Sequence, residues 1–144
     1  MEEKQNYTPT QARQINPVSL AFLGDAVYSL WVREQLVRSG TGNAASFQRA
    51  AGKIVSAQGQ SVFLEEVLPL LTEEEEEIYR RGRNAKKATK SKHATAAEYN
   101  RSTGFEAVLG YLQLLGREER IEELLSHIDR ETLKGQAAFN PYKP

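Results

Sequence analysis

Two stretches of the chain are apolar on nearly every face of a helix. They are Pro17–Val32 (PVSLAFLGDAVYSLWV) and Phe105–Leu115 (FEAVLGYLQLL). With no polar side to turn toward water, both read as central, buried helices. Asn16 followed by Pro17 predicts the start of the first, with asparagine as N-cap and proline at the first helical position. That helix is expected to fray into REQLVRSGTGN, where the glycines predict a turn.

Helical spacing recurs over residues 44–57 and 60–71, with Pro69 near the end of the second. Thr72 with Glu75, and Thr95 with Glu98, have the spacing of capping boxes. The first opens a helix whose early turns carry Glu73–Glu77, where the helix dipole favours negative charge. The second opens a long helix to about Leu115. Residues 117–128 are amphipathic, with Ile121, Leu124, Leu125 and Ile128 on one stripe. Residues 1–15 read as a loose polar arm and residues 129–144 as a tail. Nothing alternates with the period of a strand, so the expected fold is all-α, one domain over residues 16–128.

Composition narrows the chemistry. The 144 residues include no cysteine, which removes disulfides and thiolate zinc sites, and only two histidines, His93 and His127, which argues against a histidine zinc centre. The polar start lacks the apolar core of a signal peptide, and no run reaches the ~18–20 apolar residues of a membrane span. A cytoplasmic location is expected. Nineteen basic residues balance nineteen acidic ones, so net charge points to no partner. Charge distribution says more: Arg80–His93 (RRGRNAKKATKSKH) holds seven Lys or Arg and no acid, and is expected to loop out.

Asp25 is the only charged residue in Pro17–Val32, and Glu106 the only one in Ser102–Gly116. A buried lone carboxylate costs several kcal/mol unless it is paired, protonated or bound to a cation. If the two helices touch, the anions repel, and a hard divalent cation offsets the repulsion. Such an ion also suits phosphodiester hydrolysis. The competing reading pairs each acid with a neighbour, Arg101 serving Glu106 and Arg33 reaching along the first helix. Gly24 adjoins Asp25, and Gly104 and Gly110 flank Glu106. They mark either tight helix packing or close approach of a ligand.

The segment Leu20–Val27, LAFLGDAV, resembles the ribonuclease III signature, and Thr103–Ala107, TGFEA, resembles that family's second acidic motif, usually D-x-x-E-A. The resemblance covers nearly the whole chain. It is closest to the mini-ribonuclease III branch, which has the catalytic domain without a double-stranded-RNA-binding domain, and Tyr79–Lys87 (YRRGRNAKK) is similar to that branch too. The chain ends about where that further domain would begin. The resemblance implies a Mg²⁺-dependent endoribonuclease (with Mn²⁺ as an alternative ion) that cuts double-stranded RNA, leaves 5′-phosphates and matures the large-subunit (23S) ribosomal RNA precursor. It assigns Asp25 and Glu106 as catalytic metal ligands. Two family acids are absent, their positions being held by Ala21 and Thr103. That departure supports an alternative: a degenerate member that binds RNA or the ribosome without cutting.

Without a second domain, the duplex must be held by the catalytic domain. Arg80, Arg81, Arg83, Lys86, Lys87, Lys90 and Lys92 are the expected phosphate contacts, the competing reading being a solvated loop that balances Glu73–Glu77. His93 is expected to be incidental and His127 a favourable contact at a helix C-terminus. Trp31 is assigned to the core with Leu20, Leu23, Val27 and Leu30. Phe22 lies away from that stripe. The resemblance places it in a homodimer interface, against the simpler expectation that it fills its own subunit's core.

Overall fold

The computed structural model describes residues 4–40, 42–87 and 94–128, and every regular element among them is helical. The elements are α1 (Pro9–Arg13), α2 (Pro17–Ser39), α3 (Ala44–Val55), α4 (Ala57–Val67), a 3-10 turn over Leu68–Leu70, α5 (Glu73–Asn84), α6 (Ala96–Leu114) and α7 (Glu118–Leu125). The all-α expectation holds. So do the caps: Asn16 accepts from the Val18 amide, and Thr72–Glu75 and Thr95–Glu98 both form reciprocal capping boxes.

The centre of the molecule is α6, whose residues Ser102–Phe105 and Ala107–Leu112 are all buried. It packs most extensively against α2 and α5, with α4 and α7 on further sides. Tyr28 of α2, Phe63 of α4 and Phe105 of α6 meet in one aromatic cluster. The Phe63 and Phe105 rings stand edge to face at 5.3 Å, and Tyr28 stacks on Phe63 at 5.9 Å.

Four expectations are corrected. The polar arm contains α1, which a Thr8–Gln11 capping box initiates, and the Tyr7 amide donates to the Leu114 carbonyl at 2.8 Å. Helix α2 does not fray after Val32. Leu36 is fully buried one turn later, and the helix stops only at Gly40, in the left-handed conformation at φ 67°. The stretch from Arg80 to Asn84 belongs to α5, because Ile78, Tyr79 and Gly82 bury one face and carry the basic turns with them. Finally, α2 is not buried all round. Its core stripe is Leu20, Ala21, Gly24, Tyr28, Val32 and Leu36; Leu23 and Val27 are half-buried, and Leu30 is exposed.

A polar clasp joins α5 to the α6–α7 corner. Glu74 accepts hydrogen bonds from the Tyr111 hydroxyl and, at 2.6 Å, from Arg117. The Arg117 guanidinium holds the Glu74 carboxyl below its ordinary range. Glu75 is buried and pairs with Arg120 at 2.8 Å. Trp31 is partly buried against the core, and its indole nitrogen donates to Glu122 at 2.6 Å, tying α2 to α7.

At the crossing of α2 and α6 no side chain separates the backbones. A Cβ placed on Gly24 would overlap the carbonyl oxygen of Glu106, and one on Gly110 would overlap that of Leu20. This decides the reading of these glycines in favour of tight packing. Gly104 serves the other side of α6 in the same way, since a Cβ there would lie 2.7 Å from the Tyr79 carbonyl of α5. Gly24→Ala must therefore push α2 off α6, at a cost of about 3 kcal/mol or more, a fall of roughly 10 °C in Tm. Gly52→Ala, on α3 with nothing within 4 Å of the added carbon, should instead stabilise by up to about 1 kcal/mol. Thermal unfolding of the two variants checks both signs. Equal Tm values would contradict the close crossing.

Candidate active site

Asp25 and Glu106 come together at that crossing. Asp25 sits on α2 next to Gly24, whose contact with the Glu106 backbone fixes the spacing between the two helices at this level. The two carboxyls lie close enough to interact directly, which favours a proton on Glu106 when nothing else lies between them. Burial, the hydrogen bond with Asp25 and the Asp25 charge push Glu106 up to about 10. Neither acid has an ion-pair partner among the described residues. Arg101, the sequence candidate for pairing with Glu106, reaches Glu65 of α4 at 3.0 Å, and Arg33 donates to Ser29.

One part of the sequence reading is corrected here. Asp25 is not buried: it is exposed on the outer side of α2, while Glu106 is partly buried. The outward face of α2 carries Phe22, Asp25, Ala26 and Leu30, which explains how an acid in an apolar helix reaches water. Phe22 does not fill its own core. It is 84% exposed, and Leu30 is 68% exposed.

Sequence reasoning missed Tyr28, one turn beyond Asp25 on α2. Its hydroxyl donates to the Ile54 carbonyl at 3.2 Å, and burial together with the Glu106 charge raises its pKa. The i, i+3 spacing from Asp25 was the available signal. His127, with Glu66 and Lys53, lines a cavity of about 370 Å³ floored by Tyr28, Ile54 and Phe63.

The basic residues differ in their surroundings. Arg80 and Lys86 are exposed on α5 and just beyond it. Arg81 instead turns inward and donates to the carbonyls of Arg13, at 2.9 Å, and Ile15. Arg83 lies over the Tyr79 ring at 5.6 Å, and Lys87 donates to the Arg83 carbonyl, burial lowering its pKa. Lys90, Lys92 and His93 lie outside the described residues.

Two carboxylates thus meet at a helix crossing inside an all-helical domain, as the resemblance of their two motifs to ribonuclease III leads one to expect. The Ribonuclease III domain family matches residues 18–117, and the chain belongs to that family. It is 47% identical over 109 residues to the Mini-ribonuclease 3 of Symbiobacterium thermophilum, covering 76% of this chain and 84% of that protein. It is 46% identical over 114 residues to the Mini-ribonuclease 3 of Streptococcus pneumoniae, covering 78% and 89% respectively. A crystal structure of protein FN1578 from Fusobacterium nucleatum superposes with a TM-score of 0.73 at 32% identity, over 79% of this chain and 93% of that one. The chain is an endoribonuclease of a family that acts on double-stranded RNA and generally depends on a divalent metal ion.

Glu106 makes stability depend on pH in a definite direction. Its folded pKa is raised above the ordinary 4.5, so between there and about 10 the folded chain holds a proton that the unfolded chain has released. Stability from this group is therefore lost as pH rises through that window. In the metal-free protein the urea midpoint should fall from about pH 5 to about pH 8, and Glu106→Gln should flatten the decline. An undiminished decline in the variant would place its origin elsewhere.

Proposed function

We propose that the chain is a Mg²⁺-dependent endonuclease (Mn²⁺ serving as an alternative ion) that acts as a homodimer on double-stranded RNA. Its natural substrate would be the precursor of large-subunit (23S) ribosomal RNA, in the cytoplasm. The observation that carries the reading is the pairing of Asp25 and Glu106, without a basic partner among the described residues, in a member of the ribonuclease III family. The ribosomal substrate rests on the likeness of the chain, including its YRRGRNAK stretch, to the mini-ribonuclease III branch. No described helix is long and apolar enough to cross a membrane.

The donor set fits a hard cation. Two carboxylate groups face each other, one of them open to water, and magnesium accepts one or two carboxylates with water and phosphate oxygens for the rest. When bound, such an ion would lower the pKa of water and offset charge at the phosphate, and the resemblance to ribonuclease III implies products with a 5′-phosphate and a 3′-hydroxyl. Asp25 and Glu106 supply the negative charge that holds it. The Gly24–Gly110 contact keeps their helices in register. Arg80 and Lys86, with Lys90 and Lys92, offer phosphate contacts that track the duplex backbone. Arg81, Arg83 and Lys87 belong to the same basic stretch, Arg81 being held by the carbonyls of Arg13 and Ile15.

Asp25→Asn and Glu106→Gln should each lower cleavage of a long RNA duplex in Mg²⁺ by at least about 1000-fold, the scale of losing a principal electrostatic group. Duplex binding and circular dichroism should stay near those of the wild type. Near-normal cleavage by either variant would sink the assignment.

The exposed apolar face of α2 supports the dimer. Phe22, Ala26 and Leu30 follow one another at helical spacing beside Asp25, and an exposed apolar patch of this kind marks an interaction surface. A two-fold axis near it would set two sites along one duplex. Phe22→Ala should raise the dimer dissociation constant by roughly 30-fold or more, since buried interface aromatics contribute about 2 kcal/mol or more. Analytical ultracentrifugation measures this directly. A wild type that sediments as a monomer while cutting both strands in one encounter would rule the arrangement out.

A further inference from the structure

We infer that each chain holds one divalent cation at the Asp25–Glu106 crossing, with water completing its coordination, rather than a pair of cations. The inference rests on the metal-binding reading of the site and concerns the ligands that this particular chain can bring to it.

A second cation needs further anionic ligands, and the positions that would supply them are closed. Four residues before Asp25 on α2, one turn away on the same side, stands Ala21, which has no donor atom and is 8% exposed. Three residues before Glu106 on α6 stands Thr103. It is buried, and its hydroxyl donates to the Tyr99 carbonyl of its own helix at 2.8 Å. Several acids on neighbouring elements are engaged elsewhere, and Glu66 of α4 lines the cavity with Lys53 and His127. Glu65 pairs with Arg101, Glu34 with Arg38, and Glu98 caps α6. Among the described residues no cluster of three metal-ligating acids or histidines forms anywhere.

Charge counting agrees. Two carboxylates carry two negative charges, which one divalent cation neutralises. A second divalent cation close by would meet about four times the repulsion of two unit charges, with no protein anion to offset it. One or two carboxylates with several waters is also the ordinary coordination of magnesium. The loaded site is then electrically neutral, and an RNA phosphate reaches it without a surplus of protein negative charge to overcome.

The test counts Mn²⁺ ions on the full chain, without RNA. Electron paramagnetic resonance of free Mn²⁺ during titration gives the number bound by wild type and by Asp25→Asn. Anomalous diffraction from Mn²⁺-soaked wild-type crystals gives their positions and does not depend on the variant folding. The expected result is that Asp25→Asn loses one ion per chain, and that one anomalous peak lies between Asp25 and Glu106. Two ions lost, or two peaks at the crossing, would overturn the single-ion inference while leaving the metal site in place. Equal binding by wild type and variant, with no peak there, would overturn the inference and the metal-binding reading together.

Discussion

Where α2 and α6 cross, backbone lies on backbone. Gly24 rests against the carbonyl of Glu106, and Gly110 against the carbonyl of Leu20. That contact sets how near the two helices come, and the distance decides the chemistry, because the acids beside it are anchored to the same two backbones. A methyl group at either glycine would widen the gap by more than a rotamer change can recover. The price of the close approach is two helix-interior glycines, each about 1 kcal/mol worse than alanine in a helix. Close packing along the rest of α6 offsets that cost.

The remaining architecture holds this crossing in place. The opposite side of α6 is fixed by Gly104 against Tyr79, and its C-terminal end by the Tyr111–Glu74–Arg117 clasp. Arg81 ties α5 to the turn that leads into α2. The three helices that form and flank the site are thus linked by contacts on several sides. The outer face of α2 stays open, and it is the face that bears Asp25 and Phe22.

The hydrophobic pattern made the helices, the caps and the two unusual acids legible, because each follows from spacing within a few residues. What it could not show was which apolar helix takes the centre. Pro17–Val32 of α2 and the second half of α6 both read as apolar on nearly every face, but only the stretch of α6 is largely enclosed, and α2 leaves Phe22 and Leu30 in water. Nothing local distinguishes a helix buried in its own chain from one that keeps a face for another. The basic stretch shows the same limit. Seven cationic side chains look alike in the sequence, yet Arg81 is committed to carbonyls 66 and 68 residues away. The rule that acids in apolar helices are buried placed Glu106 well and Asp25 wrongly, because it took the whole circumference of α2 to be covered.

The order in which the chain is made gives the α2–α6 crossing a further consequence. During synthesis α2 leaves the ribosome long before α6, and domains of this kind emerge from the N-terminus onward. The contact of its apolar stripe with α6 must wait until roughly eighty more residues have followed, and Trp31 waits still longer, 91 residues, for Glu122. Contacts this distant along the chain slow folding even in an all-helical protein. Helices α3 and α4, which follow α2 directly and share Tyr28 and Phe63 with it, are the first surfaces available to shield that stripe. Until α6 has been made, the nascent chain's α2 can therefore be covered only in part, and the glycine contact between the two helices is among those that must form late.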